Sequence, residues 1–306
     1  MNKHALDVLE YDKVVSMLVD RTSFELGHER AGRLSPTVDL QSIRDDLGRT
    51  SELRRLLDDG ERLPLDGARD VRDALARSDV GGASLSCEDL VDVRQTLLAI
   101  GRAATFLGSR AEILPALSAM AGTLEPSTAL SDAIARVVDE QSLTVRDSAS
   151  KELARVRRSL ERTRSRLDEK LQSILTKELS SDTIQEAAVH IRNGRHVLPV
   201  KRSSSGRFKG IVHDQSGSGA TLFVEPLETV ELNNELAGLR AAEKKEVERV
   251  LREVTTLVGV EARSILHSLI IMGELDFHRA AAVLSRDLDA SAPSLNADGR
   301  LRIRNG

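Results

Sequence analysis

The sequence AAVHIRNGRHVLPVK, at residues 187–201, is the strongest short-range indication of a β-hairpin in this chain. Asn193 and Gly194 lie between two runs of alternating apolar and polar residues, and both turn positions of such a hairpin need the positive φ that these residues tolerate. Two further strand-like runs, FKGIVHD and ATLFVEP, follow after loops rich in Ser and Gly at 203–206 and 216–219. We therefore predict a small antiparallel sheet of about four strands over residues 187–226.

Long helical patterns flank this sheet on both sides. Each has a narrow apolar stripe on an otherwise charged helix, which is typical of a two-stranded coiled coil and narrower than the face of a globular core helix. Neither helix can bury its stripe alone, so we predict that the two pair as antiparallel arms over residues 146–261. The stripes are Leu153, Val156, Leu160, Thr163, Leu167, Leu171 and Ile174, then Leu232, Leu236, Leu239, Val247, Val250, Val254 and Leu257.

Residues 1–145 have the pattern of amphipathic helices of ordinary length, separated by short breakers. Ser86 followed by Asp89 has the spacing of a capping box and predicts the start of one helix. We expect a helix at 262–290 to return to this domain, and residues 291–306 to begin another domain as a loop and a strand. The predicted fold class is mainly α: a discontinuous helical core domain with a long antiparallel coiled coil, capped by a small antiparallel β-sheet.

The composition is that of a globular protein in a reducing compartment. Of the 306 residues, 40% are hydrophobic and 30% are charged, and this length suggests about two domains. No apolar run approaches the roughly 20 residues of a membrane-spanning helix, and the N-terminus lacks the apolar core of a secretion signal. The single cysteine, Cys87, excludes an internal disulfide. We expect a cytoplasmic protein with no membrane partner.

Positive charge is concentrated in the arms and the sheet. Residues 144–226 contain sixteen Lys and Arg against ten Asp and Glu, although the whole chain has a formal net charge of −4. Residues 187–213 contain six basic residues and no acidic one, and such side chains on loops bind phosphates. A sheet edge that uses cations to prevent aggregation would have the same composition, so this alternative stays open. The candidate nucleic-acid-binding residues are Arg192, Arg195, Lys201, Arg202, Arg207 and Lys209.

Two further features bear on nucleic-acid binding. The first arm is also basic, with eight Lys and Arg against four acids over residues 151–171; this favours a solvated helix face but leaves a direct contact open. Phe208 lies between two cations and could stack on a base, but as the first residue of a strand it is expected to pack inward. No pattern for reading bases is evident.

No constellation of residues indicates catalysis or a metal site. A nucleophile elbow needs glycine two residues before and two residues after its Ser, but Ser218 in the GSG stretch has Ser216 and Ala220 at those positions. No Gly-Lys-Ser/Thr sequence follows, so a hairpin loop is predicted there. The seven histidines show no metal-ligand spacing. His190 and His196 should be satisfied or exposed, and His278 beside Asp276 is interpreted as a pair on one helix face. We predict no catalytic and no metal-binding residue.

Six stretches of this chain together resemble a known family. In order they are LEYDKVVSMLVDRTSFELG, DSASKELARVRRSL, IRNGRHVLPVK, GIVHDQSGSGATLFVEP, VELNNEL and GELDF. The chain is similar over essentially its whole length to the second subfamily of bacterial MutS paralogues, the type-two MutS endonucleases. The resemblance implies a helical core with lever arms and a DNA clamp tip at residues 192–224. His196 departs from the family, which often has Tyr there, and this weakens a stacking role.

The resemblance also implies functions of a longer parent protein. It implies an ATPase that uses ATP and Mg²⁺, forms a homodimer through its ATPase domain, encloses branched or structured DNA and suppresses homologous recombination. It places that domain and a small MutS-related nuclease domain after residue 306. We therefore expect an N-terminal fragment with neither activity and no cofactor of its own, from a parent that hydrolyses ATP and has the domain of an endonuclease.

The expected function of these 306 residues is to grip nucleic acid, as the core and clamp region of a MutS-family ATPase acting on DNA. One alternative has the same architecture but makes the ribosome the ligand, through rRNA or ribosomal protein, in the rescue of stalled ribosomes. Another alternative is a purely structural coiled-coil lever whose tip meets its twin. The basic loops fit the first two readings equally well.

Overall fold

The computed structural model describes residues 3–300 and 302–303 and divides into two compact units. The first unit combines both ends of the chain, Met1–Thr144 and Leu251–Gly306, and the second is the continuous segment Val145–Val250. Most of the described chain is helical, and its largest sheet is antiparallel. The predicted fold class is confirmed at this level, as a mainly helical protein with a small antiparallel sheet.

The first unit is formed by helices of ordinary length and by the second part of one long helix. Two short strands, β1 (Val138–Asp139) and β2 (Thr144–Val145), follow the eighth helix. The helices are α1 (Lys3–Val8), α2 (Tyr11–Val19), α3 (Glu25–Gly32), α4 (Leu40–Asp58), α5 (Arg72–Ser78), α6 (Cys87–Gly108), α7 (Pro115–Ala121), α8 (Thr128–Val137) and residues 251–287 of α10 (Val230–Asp287).

Helix α6 begins where the sequence predicts. The Ser86 hydroxyl accepts a hydrogen bond from the backbone N–H of Asp89 at 3.0 Å, and the Asp89 carboxylate accepts one from the backbone N–H of Ser86 at 3.0 Å. This reciprocal capping box satisfies donors that the first turn of a helix leaves without a partner. The predicted helix start is therefore confirmed.

Two apolar clusters fill the core of the first unit, and α10 contributes to both. Leu53 of α4 and Leu117 of α7 pack with Met272 in one cluster. Ile134 of α8 packs with Leu269 in the other. Because the part of α10 in the first unit comprises residues 251–287 and α4 comprises residues 40–58, this core is closed only by joining distant parts of the chain.

One expectation about hydrophobicity needs correction. The segment Leu227–Asp287 contains an 18-residue window with a mean hydropathy of 1.4, so by length and composition alone it is apolar enough to cross a membrane. The distribution of apolar residues in the sequence predicted no such run. Buried core helices pass the same test, although only 33% of this window is buried, and Ile265 and Leu269 of the segment pack in the core of the first unit. A single window of this kind is weak evidence for membrane insertion.

The returning helix is continuous with the second arm. The sequence suggested an arm that leads back to a separate helix, whereas α10 is a single helix of 58 residues. After it, residues 291–300 contain no helix or strand. The strand predicted at the end of the chain falls on residues that lie largely outside the described part, since only Arg302 and Ile303 are described beyond residue 300, and neither lies in a strand.

The second unit consists of two helical segments and a sheet. Its helices are α9 (Lys151–Leu179) and residues 230–250 of α10, and its strands are β3 (His190–Arg192), β4 (Arg195–Lys201), β5 (Gly210–Gln215) and β6 (Thr221–Pro226). The two helices run antiparallel, because hydrogen bonds join Ser150 to Glu246 at 2.5 Å and Thr163 to Glu235 at 2.9 Å. As the residue number rises along α9, that of its partner on α10 falls.

The predicted stripe of α9 faces inward along its whole length. All seven of its residues are buried or half-buried. On α10 the stripe holds as far as Val254, but Leu257 is 47% exposed and its neighbour Val258 is buried. The prediction for Leu257 is wrong because α10 packs into the core of the first unit from Leu251 onwards, where Val254, Val258 and Ile265 face that core.

The sheet is antiparallel with the strand order β3-β4-β6-β5, so β4 and β6 are central. The turn between β3 and β4 has positive φ at both positions, 53° at Asn193 and 76° at Gly194, as the hairpin prediction requires. Leu198, Val200 and Val224 of the central strands pack in one apolar cluster with Leu171 and Leu236 of the two helices. The end of the helix pair and one face of the sheet therefore share a core.

Candidate nucleic-acid interface

The six cations predicted at the sheet fall into two groups of three. In the first group, Arg192 lies 3.1 Å from Asp214, Arg195 lies 3.1 Å from Glu225, and Lys201 forms an ion pair with Asp182. The stretch 187–213 contains no acid, but the fold brings carboxylates to it from outside. These three cations are half-buried and have their charge partners within the protein.

The second group is Arg202, Arg207 and Lys209, which lie in the connection from β4 to β5 at residues 202–209, hereafter the basic loop. All three side chains are exposed. Arg202 donates weak hydrogen bonds to the Gln215 side chain at 3.4 Å and to the Gly219 carbonyl at 3.3 Å. Within residues 3–300 and 302–303, none of the three forms an ion pair with a carboxylate, so their charge is open to an external anion.

Phe208, between Arg207 and Lys209, is directed toward the protein. Its side chain is half-buried and packs against the apolar cluster at the end of the helix pair. The inward packing is confirmed, although Phe208 lies in the basic loop and β5 begins only at Gly210. Its burial anchors the loop and leaves the two flanking cations in solvent.

Two of the paired cations, Arg192 and Arg195, lie in a network of side-chain contacts on the sheet. The Arg192 guanidinium lies 4.1 Å from the centre of the Phe223 ring, and the His190 ring meets the same phenyl edge-on at 5.2 Å. Glu225 accepts from Arg195 and from His213, so both oxygens of its buried carboxylate have partners. A buried carboxylate is tolerated when donors surround it. This network fixes Arg192 and Arg195 as parts of the sheet.

His196 is buried and bound within the sheet core. Its backbone N–H donates to Oδ1 of Asn233 at 3.1 Å, and Nδ2 of Asn233 donates back to the His196 carbonyl at 3.2 Å. The imidazole Nδ1 lies 3.3 Å from the same Oδ1. His190 lies 2.7 Å from Glu186. Both rings are satisfied, as predicted, and His196 is not available for stacking on a base.

The interpretation of His278 and Asp276 as a side-chain pair is wrong. Asp276 accepts hydrogen bonds from Ser23 and Arg279, whereas His278 lies 3.2 Å from Thr50 and is completely buried. Residues two apart on a helix point in different directions, so these side chains face different neighbours. Burial lowers the pKa of His278 to about 3, and the nearby charges of Arg49 and Arg30 act in the same direction.

The GSG stretch forms a hairpin loop between β5 and β6. The Gly219 N–H donates to the Ser216 carbonyl at 2.8 Å, the Ser216 N–H donates to the Thr221 carbonyl at 2.9 Å, and Gly219 has a φ of 71°. This confirms the predicted loop. In the described part of the chain, no three His, Cys, Asp or Glu side chains are grouped as metal ligands would be.

Comparison with known proteins places these features in a family. No protein-family model matches the chain. Three curated relatives are each called endonuclease MutS2: 37% identical in Geobacillus sp. over 99% of this chain, 39% identical in Symbiobacterium thermophilum over 100%, and 35% identical in Listeria monocytogenes over 99%. The chain belongs to the MutS2 family. It spans only about 39% of the length of these MutS2 relatives, so what the whole MutS2 protein does is a separate question.

The carboxylates that pair with the cations were missed by sequence reasoning. Glu225 could have been singled out, because it is the only charged residue in the largely apolar run ATLFVEP of this MutS2 chain. Its partners become evident only with the strand register, in which β6 lies between β4 and β5 and Val224 is opposite both Leu198 and Val212. Arg195 and His213 thus reach one carboxylate from two neighbouring strands.

Proposed function

We propose that the second unit binds nucleic acid through the basic loop. The observation that carries this proposal is the set of three exposed cations, Arg202, Arg207 and Lys209, with no ion-pair partner among the described residues. Phosphate contacts by Lys and Arg dominate nucleic-acid affinity. They position the ligand without reading its sequence, which agrees with the inward packing of Phe208.

The ligand we propose is DNA, in particular branched or otherwise structured duplex. The support is that the relatives are called endonucleases, together with the chain's resemblance to them over its full length. In this proposal the antiparallel helix pair is the coiled coil of the lever arms and the sheet is the clamp tip. The biological role would be the suppression of homologous recombination.

Other activities belong to the proposal for the whole protein. ATP hydrolysis with Mg²⁺, homodimerisation and endonuclease activity are proposed for the full-length parent from the resemblance alone. The residues of this chain do not fit an ATP or Mg²⁺ site, because the 306 residues contain no Gly-Lys-Ser/Thr phosphate loop and the described ones contain no group of three potential metal ligands. We therefore place no such cofactor here.

A binding titration tests the proposal directly. The chain would be titrated with a four-way DNA junction, a linear duplex and ribosomes at several salt concentrations. The three phosphate contacts of the basic loop should contribute about −2.7 to the log-log salt slope, because each contact contributes about −0.9 on duplex. The triple variant Arg202→Gln, Arg207→Gln, Lys209→Gln should lose most of this slope.

The matched control removes the same charge from the first unit. Arg44, Arg136 and Arg263 are exposed arginines there, and their replacement by Gln should leave DNA affinity nearly unchanged. Equal losses in both triple variants would contradict a specific site. Binding to ribosomes in preference to the junction, lost in the basic-loop variant, would favour the ribosomal alternative. If the chain binds neither DNA nor ribosomes, the alternative of a purely structural coiled-coil lever would be favoured.

A further inference from the structure

The outward face of α9 carries five cations, each three or four residues after the one before. Lys151, Arg155, Arg158, Arg162 and Arg166 are all exposed, and intervals of three or four residues keep them on one side of the helix. The buried stripe of Leu153, Val156, Leu160, Thr163 and Leu167 occupies the opposite side. We call the five cations the α9 ridge.

The ridge is not neutralised by the helix beside it. The acids of α10 reach the flank of α9, where Glu243 lies 2.7 Å from Arg157. Two ridge residues have an acid nearby. Arg155 forms an ion pair with Glu152 at 2.6 Å, whereas the charged atoms of Arg166 and Glu235 are 4.0 Å apart, which is a long and weak ion pair.

Arg158 and Arg162 have weaker partners. Arg158 donates to the Ala154 carbonyl at 3.1 Å, and Arg162 donates to the Arg158 carbonyl at 3.2 Å and to the Ser159 hydroxyl at 3.3 Å. Within the part of the chain that the structure describes, neither guanidinium meets a carboxylate.

A solvated helix face is usually built differently. Cations and acids alternate at intervals of three and four residues on such faces, because opposite charges at these positions attract and like charges repel. The α9 ridge instead places five cations at such intervals, which gives four like-charged neighbour pairs, and Glu161, three residues after Arg158, forms no ion pair with it within the described residues. Four of its five cations are Arg, whose planar fork binds phosphate through two parallel hydrogen bonds. A ridge that is unfavourable in the free helix becomes favourable when an external polyanion lies along it.

The dimensions of the ridge fit a duplex backbone. At 1.5 Å per residue, the ridge extends about 22 Å from Lys151 to Arg166, which matches about six base pairs of duplex at 3.4 Å each. Helix α9 continues from Arg166 to Leu179, about another 20 Å, toward the sheet. A ligand that contacts the whole ridge and also the sheet end of the unit must therefore be about 12 base pairs long or longer.

We propose that the α9 ridge is a second phosphate-binding surface, which holds the backbone of the duplex DNA bound at the basic loop. This inference rests on the proposed function, since the loop is taken as the first contact. The ridge adds length to the binding site without adding sequence preference. It makes the affinity of the second unit depend on the length of the duplex.

The test compares a hairpin-closed duplex of about 8 base pairs with one of about 24 base pairs. The variant is Arg158→Gln with Arg162→Gln, both exposed, with circular dichroism as a check of folding. The parent chain should show a steeper salt slope on the long duplex than on the short one. The ridge variant should lose about 1.8 of the slope on the long duplex, which narrows the difference between the two duplexes, and at 0.1 M salt it should bind the long duplex at least about tenfold more weakly.

A control variant and the basic-loop variant make the outcomes distinct. Arg164→Gln with Lys245→Gln removes the same charge from exposed positions outside the ridge and should keep the difference between duplex lengths. If the ridge variant also keeps that difference, or if the parent shows none, the second surface is overturned while a loss in the basic-loop variant still supports the proposed function. If the basic-loop variant binds both duplexes like the parent, the proposed function fails and this inference fails with it.

Discussion

His213 lies with its Nε2 atom 2.6 Å from Oε2 of Glu225, a carboxylate that is 1% exposed in the sheet of the second unit. The other oxygen of Glu225 lies 3.1 Å from Arg195. The three residues come from three neighbouring strands, β5, β6 and β4. Glu225 thereby ties an edge strand to the central pair through its side chain as well as through backbone hydrogen bonds.

Replacing Glu225 by Gln should destabilise the second unit by about 2 kcal/mol, because Arg195 and His213 lose a buried charged acceptor. Urea unfolding followed by circular dichroism measures the change. Glu186→Gln is the matched control, since Glu186 bonds His190 from an exposed position, and it should change stability by less than about 0.5 kcal/mol. Equal effects of the two variants would show that the buried carboxylate has no special importance.

The six cations should differ when they are replaced one at a time. Arg207→Gln should reduce the salt slope of DNA binding by about 0.9 and leave stability unchanged, because the side chain is exposed and forms no ion pair within the described residues. Arg192→Gln should lower stability, since it removes the contacts with Asp214 and the Phe223 ring. Salt titrations and unfolding experiments on both variants measure this difference. A loss of stability in Arg207→Gln together with a loss of salt slope in Arg192→Gln would contradict the prediction.

Gly27 and Gly32 on α3 should respond differently to replacement by alanine. A Cβ at Gly27 would lie 2.2 Å from Oδ2 of Asp276, and that carboxylate is fixed by hydrogen bonds from Ser23 and Phe24. Gly27→Ala should therefore destabilise the first unit by about 2 kcal/mol.

Gly32→Ala is the control for this prediction. A Cβ at Gly32 meets nothing within 4 Å, so the change should be neutral or stabilising by up to about 1 kcal/mol. Thermal unfolding of both variants measures the difference. Equal melting temperatures would contradict the close approach of α3 to α10.

Because of His278, the free energy of unfolding of the first unit should decrease as the pH falls. Its pKa is lowered to about 3 in the folded protein because burial disfavours the charged ring, whereas an unfolded chain has an ordinary histidine pKa near 6.5. Between these values the unfolded state binds more protons. Stability should therefore decrease as the pH falls from about 6.5 toward 3, by at most about 1.4 kcal/mol per pH unit.

Comparing two histidines of α10 isolates this effect. His278→Gln should remove that part of the pH dependence, even if it lowers stability at pH 7 as well. His267 is exposed, and His267→Gln should leave the dependence intact. Denaturant unfolding at pH 7 and pH 5 provides the comparison, and identical pH profiles for the parent and His278→Gln would refute the assignment.

Local signals in the sequence predicted the local structure well. Asn193-Gly194 and the Ser86–Asp89 box act within a few residues, so the turn and the helix start follow from the chemistry of those residues. The stripe of α9 follows from the helical period for the same reason. The prediction that Leu257 faces inward was wrong because α10 packs against different neighbours in the two units. The hydrophobic period alone does not show at which residue the neighbours change.

The charges at the sheet could be predicted only in part. The sequence shows that Arg192 and Arg207 both lie in a basic stretch, but whether a cation has a partner depends on strand register and side-chain direction. Asp182 precedes the stretch and Glu225 follows it, so counting charges within residues 187–213 missed both. Separating paired from free cations required the three-dimensional positions.

The first unit closes its core with residues from both ends of the chain, whereas the second unit is one uninterrupted segment. During synthesis from the N-terminus, all residues of the second unit emerge before the part of α10 that carries Met272 and Leu275. The inner faces of α4 and α6 must wait for those residues, and contacts of such high sequence separation form slowly. The order of emergence therefore completes the inserted unit first, and the apolar surface most exposed to misassembly on a nascent chain is that of the N-terminal helices.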